Sequence, residues 1–448
     1  MTDTPELETN SGFDRLSISS TLEELGRWSL DPRWKGIPSL EEALMISDVP
    51  SRKWNLLDGD LPAPVAIIRK SALDSNAVWI KKLLVRYDLL LAPHAKTTMS
   101  PHLFAHQAEY CWGLTVATAQ QAEVAAYFGC RRLILANELI GGAQITAIIR
   151  LLQRHHELVL YLFVDSIDSV RALMAFDELH KVMPRLRLLI DVGFSGGRSG
   201  CRTLDEAKSI IGEISRYKLC LAGIGGYEGL IANATGKEDA AGVEQYFDVF
   251  ERIAAFADSE GSFIGKEIIL TAGGSSYYDI VGQRLRSIKL SKPTLRILRS
   301  GCYVTHDCGT YHGHQLQMAK RAPELAHDLG DLEPALFVCG LVQSRPEPNL
   351  ALITMGKRDV GIDVDLPVPV WHYRKDRDTA PKPVPENWKV FRLNDQHAYL
   401  KISGQEDVKV GDLICFGISH PCTTFDRWRL THLIDDNWNS IGVLPTFF

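Results

Sequence analysis

The feature that most constrains this chain is an alternation that begins near Leu61 and continues to about residue 312. Short apolar runs alternate with longer stretches that carry apolar residues at three- and four-residue spacing. The runs are Val65–Ile68, Leu89–Ala92, Leu114–Ala117, Leu133–Ala136, Leu158–Val164, Leu186–Ile190, Leu221–Ile224 and Ile268–Leu270, with Leu295–Leu298 as a last strand to complete a ring. Ser75–Tyr87, Thr118–Phe128 and Glu244–Ala257 are representative of the amphipathic stretches between them. Repeated strand–helix units predict parallel strands joined by crossovers. About eight repeats fit a (β/α)8 barrel better than an open doubly wound sheet.

After about residue 312 the texture changes. Pro-rich turns separate Leu336–Gln343, Leu350–Met355, Lys389–Leu393, Ala398–Ile402 and Leu413–Phe416, whose mixed and alternating polarity predicts an antiparallel β domain, with a turn or linker at Pro381–Pro385. The expected organisation is an irregular extension over 1–60 packing with the β domain, a barrel over 61–312 and a β domain over 313–448.

Composition removes several classes of function. Hydrophobic residues make up 45% and charged residues 23%, and the net charge is -6, so neither a nucleic-acid footprint nor a polybasic membrane patch is expected. Met1–Asn10 is acidic and polar, unlike a secretory leader, and no apolar run reaches the ~18 residues of a membrane span. The nine cysteines are scattered without a CxxC pair, which predicts reduced thiols and a cytoplasmic protein.

A barrel of this kind places its chemistry at the C-terminal ends of the strands. The run Leu89–Ala92 leads into Pro93-His94-Ala95-Lys96-Thr97, so Lys96 points towards a partly buried cavity, an environment that favours a nucleophilic amine. Leu186–Ile190 leads into Asp191-Val192-Gly193 and a glycine-rich loop containing Arg198, a candidate partner for an anion or an aromatic nitrogen. Tyr227 follows the next run and is placed to stack on or hydrogen-bond to a ring. Thr271-Ala272-Gly273-Gly274-Ser275-Ser276 has the glycines and hydroxyls of a phosphate cradle, with Arg299-Ser300-Gly301-Cys302-Tyr303 as a second wall. In the β domain, His420 and Cys422 are two residues apart and can turn to one side of a loop to chelate zinc, while leaving positions open for a substrate. Taken singly, each of these motifs also has an ordinary reading as a turn, a packed ring or a solvated charge.

Their order and spacing resemble the fold-type III pyridoxal-phosphate enzymes, and within them the eukaryotic-type D-serine dehydratase and D-threonine aldolase family. The resemblance covers roughly residues 60 to 440. It rests on Pro93–Thr97, Gly113–Thr118, Leu135–Glu138, Asp191–Gly193 with Arg198, Arg299–Tyr303 with Asp307, and His420-Pro421-Cys422. The resemblance implies that Lys96 carries pyridoxal 5'-phosphate as a Schiff base and acts as the α-proton base. It implies that Arg198 faces the cofactor ring, with Arg299 as the alternative, and that Tyr227 contacts the ring. Thr271, Gly273, Gly274, Ser275, Gly301, Cys302 and Tyr303 would form the phosphate site, and His420 and Cys422 would hold a divalent metal.

His-x-Cys resembles the zinc site of the dehydratases, whereas the aldolases tend to have His-x-Asp, which suits harder ions. The implied activity is therefore β-elimination of a D-β-hydroxy amino acid to a 2-oxo acid and ammonia. D-Threonine aldolase-type cleavage to glycine and an aldehyde, and a non-catalytic cofactor-binding protein, are the alternatives. The family also implies a homodimer. The chain departs from the family pattern at Thr98-Met99-Ser100, in its long N-terminal extension and over Asp359–Trp388.

Overall fold

The computed structural model describes residues 19–231 and 239–448, so the expectation placed on Met1–Asn10 lies outside the described residues. Eight parallel strands form one sheet: β1 (Leu90–Leu91), β2 (Leu114–Val116), β3 (Arg132–Glu138), β4 (Val159–Val164), β5 (Leu186–Val192), β6 (Cys220–Gly226), β7 (Ile268–Ala272) and β8 (Thr294–Leu298). Their hydrogen-bonded order is β1-β8-β7-β6-β5-β4-β3-β2. A single bridge, His94 to Thr115, joins the two ends. At this seam the Thr115 amide donates to the Pro93 carbonyl at 2.9 Å and its hydroxyl donates to Ala92 at 2.6 Å. The expected (β/α)8 barrel with a C-terminal antiparallel domain is the architecture found.

Strand parity explains both sides of the barrel wall. Leu160, Leu162 and Val164 on β4, and Leu186, Leu188 and Ile190 on β5, face the surrounding helices in the large core. The alternate residues Tyr161, Phe163 and Leu189 fill the interior with Ile269 and Ile297. Continued by two residues, the same parity aims Asp191, Thr271 and Arg299 inward at the C-terminal end. The helices are specified locally. Leu204–Arg216 begins with a Thr203–Glu206 capping box and buries Ala207, Ile210, Ile211 and Ile214 on one face.

One strand is not where the sequence placed it. Val65–Arg69 lies outside the barrel. It pairs antiparallel with Leu336–Glu347 and parallel with Leu430–Ile434, inside the β domain. Its first four residues are all buried, and a continuous apolar run reports burial on both faces without saying in which sheet. The β domain also contains strands Val368–Tyr373, Leu430–Ile434 and Ser440–Pro445 that the periodicity did not show. Lys382–Pro383, read as a turn or linker, forms a short strand against Val368–Tyr373.

Leu30, Ile37, Leu44, Ile46 and Val49 of the N-terminal segment pack on Leu430 and Val443. The expectation of reduced thiols fails at Cys339 and Cys415, which form a disulfide between strands Leu336–Glu347 and Leu413–Gly417. They are 76 residues apart, and only the strand register brings them opposite each other. No described helix is long and apolar enough to cross a membrane.

Gly223 on β6 has no room for a side chain, because a Cβ there would lie 1.9 Å from the Ile269 carbonyl oxygen on β7. The obstruction is sheet backbone, so it cannot rotate away. Gly223→Ala is expected to destabilise the barrel by about 1–3 kcal/mol or more, read as a lower urea midpoint at unchanged slope. An unchanged midpoint would show that the strands part without cost.

Candidate active site

The C-terminal ends of the barrel strands open into a cavity of about 750 Å³, closed on one side by the β domain. Lys96 lines it, on the short turn Ala95–Thr97 that follows β1. Among the described residues its ammonium has no hydrogen-bond or ion-pair partner. His94, two residues earlier at the barrel seam, lines the same space, and its Nδ1 is buried without a partner. Burial, then the charges of Lys96, Arg299 and Arg198, hold the His94 imidazole well below its ordinary pKa, so it is neutral.

The two candidate arginines occupy different environments. Arg198 is exposed at the rim, with its guanidinium 5.5 Å from the Tyr227 ring. Arg299 is 4% exposed, lies over the Phe163 ring and donates to the Gly226 carbonyl at 2.6 Å and to the Thr271 hydroxyl at 2.9 Å. Leaving an ion without compensation in such a site costs several kcal/mol. Here carbonyl, hydroxyl and ring offset that cost, and Glu228 and Asp191 supply opposing charge. Asp191, 5% exposed, accepts from the Ser199 hydroxyl at 2.8 Å, and burial pushes its carboxyl up to about 6. Arg299 is thus the cation of the cavity floor.

The expected phosphate cradle is rearranged. Glu228 is fully buried and its carboxylate accepts from the Gly273 amide at 3.1 Å and the Gly274 amide at 2.6 Å. Those two N–H groups are occupied. The next two amides, of Ser275 and Ser276, donate to no protein group among the described residues, and both residues line the cavity. The Ser275 hydroxyl lies 2.8 Å from that of Ser300, which lies 2.6 Å from the Tyr278 hydroxyl. Two free amides beside a chain of hydroxyls suit a phosphate, so the residues present fit the implied cofactor. Gly273 and Gly301 line the cavity, whereas Thr271, Gly274 and Tyr303 do not. Thr271 holds Arg299, and the Tyr303 hydroxyl meets that of Tyr110 at 3.2 Å.

The β domain contributes His420 and Cys422 to the same cavity, and with them Cys302, which the sequence had assigned to the phosphate wall. The ligand atoms of these three lie within 4.8 Å of one another. Cys302 Sγ is 3.7 Å from Cys422 Sγ. Two thiolates on a tetrahedral zinc, each with a bond of ~2.3 Å, lie ~3.8 Å apart, so the pair is spaced for such an ion.

The hydrogen bond from Cys302 holds the Cys422 thiol well below its ordinary pKa, aided by His420, while the same bond pushes Cys302 up. Burial opposes charge on His420, but Cys422 and Asp363 outweigh it and raise the imidazole to about 9. His420 Nδ1 hydrogen-bonds the Asp363 carboxylate at 2.6 Å, and the Thr423 hydroxyl binds the other Asp363 oxygen. This carboxylate fixes the ring and leaves Nε2 for a metal.

Cys302, Asp363 and Glu228 are the functional candidates that sequence reasoning missed or misassigned. Asp363 stands 57 residues before His420 and carries no local signal. Arg299, named only as an alternative, was legible as the inward position two residues beyond Ile297.

Comparison with known proteins finds the same fold elsewhere. The fold is shared with D-threonine aldolase from Filomicrobium marinum, at 20% identity over 89% of this chain and 98% of that one, with a TM-score of 0.70. It is shared with D-threo-3-hydroxyaspartate dehydratase from Delftia sp. HT23 (18% identity, 88% and 99% coverage, TM-score 0.66). An alanine racemase-like protein from Idiomarina loihiensis also shares it (16% identity, 86% and 96% coverage, TM-score 0.63). Residues 335–434, which include His420 and Cys422, match the family model described as "Putative serine dehydratase domain". These matches bear out the fold that the resemblance implied, and the family model falls within the β domain. No curated protein matches the chain.

Removing the carboxylate behind His420 tests the cluster as a metal site. Asp363→Asn is expected to weaken zinc binding by roughly 10–100-fold, measured by competition with a chromophoric chelator. Unchanged affinity would show that Asp363 does not orient the imidazole.

Proposed function

We propose that the chain is a pyridoxal-phosphate-dependent lyase that converts a D-β-hydroxy amino acid to a 2-oxo acid and ammonia, with zinc at His420 and Cys422. The observation that carries this reading is that one cavity is lined both by an unpartnered lysine amine and by a His/Cys cluster. The serine dehydratase domain match supports it. So do the names of two structural neighbours, which specify D-threonine and D-threo-3-hydroxyaspartate, both D-β-hydroxy amino acids.

In this reading Lys96 would hold the cofactor covalently, the Ser275 and Ser276 amides would bind its phosphate, and Arg299 would supply positive charge on the cavity floor. The bound cofactor supplies an electron sink for charge developing at the substrate α-carbon. The Lys96 Nζ, which lines the cavity, would serve as the base that takes the α-proton. The amine reaches the substrate from one face, which selects one hand. Arg198, exposed at the rim, is available to the substrate carboxylate. A divalent ion in the cluster supplies a Lewis acid for the β-hydroxyl. Two thiols and an imidazole are a softer donor set than carboxylates, and so favour zinc over manganese or magnesium. We also propose that the enzyme works as a homodimer.

Lys96→Ala is expected to lose the visible absorbance of bound cofactor together with all activity. A panel of D- and L-β-hydroxy amino acids, with and without chelator, separates the remaining readings. Ammonia and a 2-oxo acid from D-substrates, stopped by chelator with the cofactor still bound, is the expected result. Glycine and an aldehyde would assign aldolase activity instead, and turnover that resists the chelator would remove the metal from the reaction.

A further inference from the structure

Cys302 and Cys422 come from different parts of the molecule, one following β8 and the other following strand Leu413–Gly417, 120 residues apart. Their sulfurs meet at 3.7 Å, and both approach the Thr97 hydroxyl, at 3.8 and 3.5 Å. Both residues line the cavity, so a small oxidant that enters it reaches them. Neither belongs to the Cys339–Cys415 disulfide. A disulfide bond is ~2.05 Å long, so the sulfurs need close by only about 1.7 Å to bond.

We propose that Cys302 and Cys422 form a disulfide when the metal is absent, so that the cluster is either a metal-bound dithiol or a metal-free disulfide. The inference rests on the reading of Cys302, His420 and Cys422 as metal ligands. In the oxidation each thiol gives up its hydrogen and one S–S bond forms. The two electrons reduce a peroxide, and hydrogen peroxide leaves as two waters. A metal held by both thiolates blocks the step, because each sulfur is bonded to the ion. The disulfide in turn removes two of the three donors and prevents reloading until a thiol reductant cleaves it. The site would thereby be closed under oxidation and reopened by reduction followed by zinc.

The test uses the cofactor-loaded enzyme, either saturated with zinc or stripped by chelator, with metal content measured by atomic emission. Each preparation is exposed to hydrogen peroxide, alkylated, digested without reductant and mapped by mass spectrometry. The stripped enzyme should yield a Cys302–Cys422 linked peptide and lose two titratable thiols. It should fail to take up zinc until dithiothreitol is added. With free zinc at ten times its dissociation constant, linkage should slow by about tenfold. Cys302→Ser should give no linked peptide, while near-ultraviolet circular dichroism confirms its fold.

If the stripped enzyme gives no linked peptide although the protein binds zinc, the inference is overturned and the metal reading stands. Linkage at equal rates in both preparations, with no zinc retained, supports the thiol pair and removes the metal reading.

Discussion

The site depends on the contact between the β-domain loop at His420–Cys422 and two loops of the barrel mouth. Cys422 Sγ meets both the Thr97 hydroxyl and Cys302 Sγ. Thr97 follows β1 and Cys302 follows β8, and these strands are neighbours in the barrel. The approach of the two barrel loops requires glycine at 301, where a Cβ would lie 2.6 Å from the His94 carbonyl and 2.9 Å from the Thr97 hydroxyl. Lys96 sits inside this junction, so the same packing that docks the β domain also sets the position of the amine. The barrel closes here through the single His94–Thr115 bridge, which places the seam of the fold and Lys96 within two residues of each other.

Charge inside the cavity follows the same economy of space. Arg299, Glu228 and Asp191 are all at least nine-tenths buried, and each has a hydrogen-bond partner. Arg299 binds Gly226 and Thr271 at the ends of β6 and β7, and Glu228 binds the two glycine amides beyond β7. These contacts hold the floor of the cavity rigid. They leave Lys96 and the Ser275 and Ser276 amides free to meet a ligand, a division between structural and available groups that suits a phosphate-bearing cofactor.

The legible part of the site was the part carried by strand ends. Lys96, Tyr227 and Ser275 each follow an apolar run by a few residues, and the cavity includes all three. The misreadings have a common cause. Gly273 and Gly274 have the composition of an anion cradle, but Glu228 occupies their amides, and composition does not say which acceptor reaches an N–H first. Cys302 lies beside a phosphate-like Ser-Gly pair in sequence, yet its sulfur faces the β domain. Asp363 acquires its role only by meeting His420, which follows it by 57 residues and several strands.

By itself the sequence determined what local periodicity and order can carry: eight strand–helix repeats, the change to antiparallel strands, the Lys96 loop and the His-x-Cys pair. These are short-range properties, because a strand's parity and a helix's capped, apolar face are written in neighbouring residues. Only the tertiary structure decided that Val65–Arg69 leaves the barrel for the β domain, that Cys339 and Cys415 join, and that Cys302 turns to His420 and Cys422. Each of these is a choice among partners distant along the chain. An apolar run or a thiol carries no address for its partner until the sheets are packed.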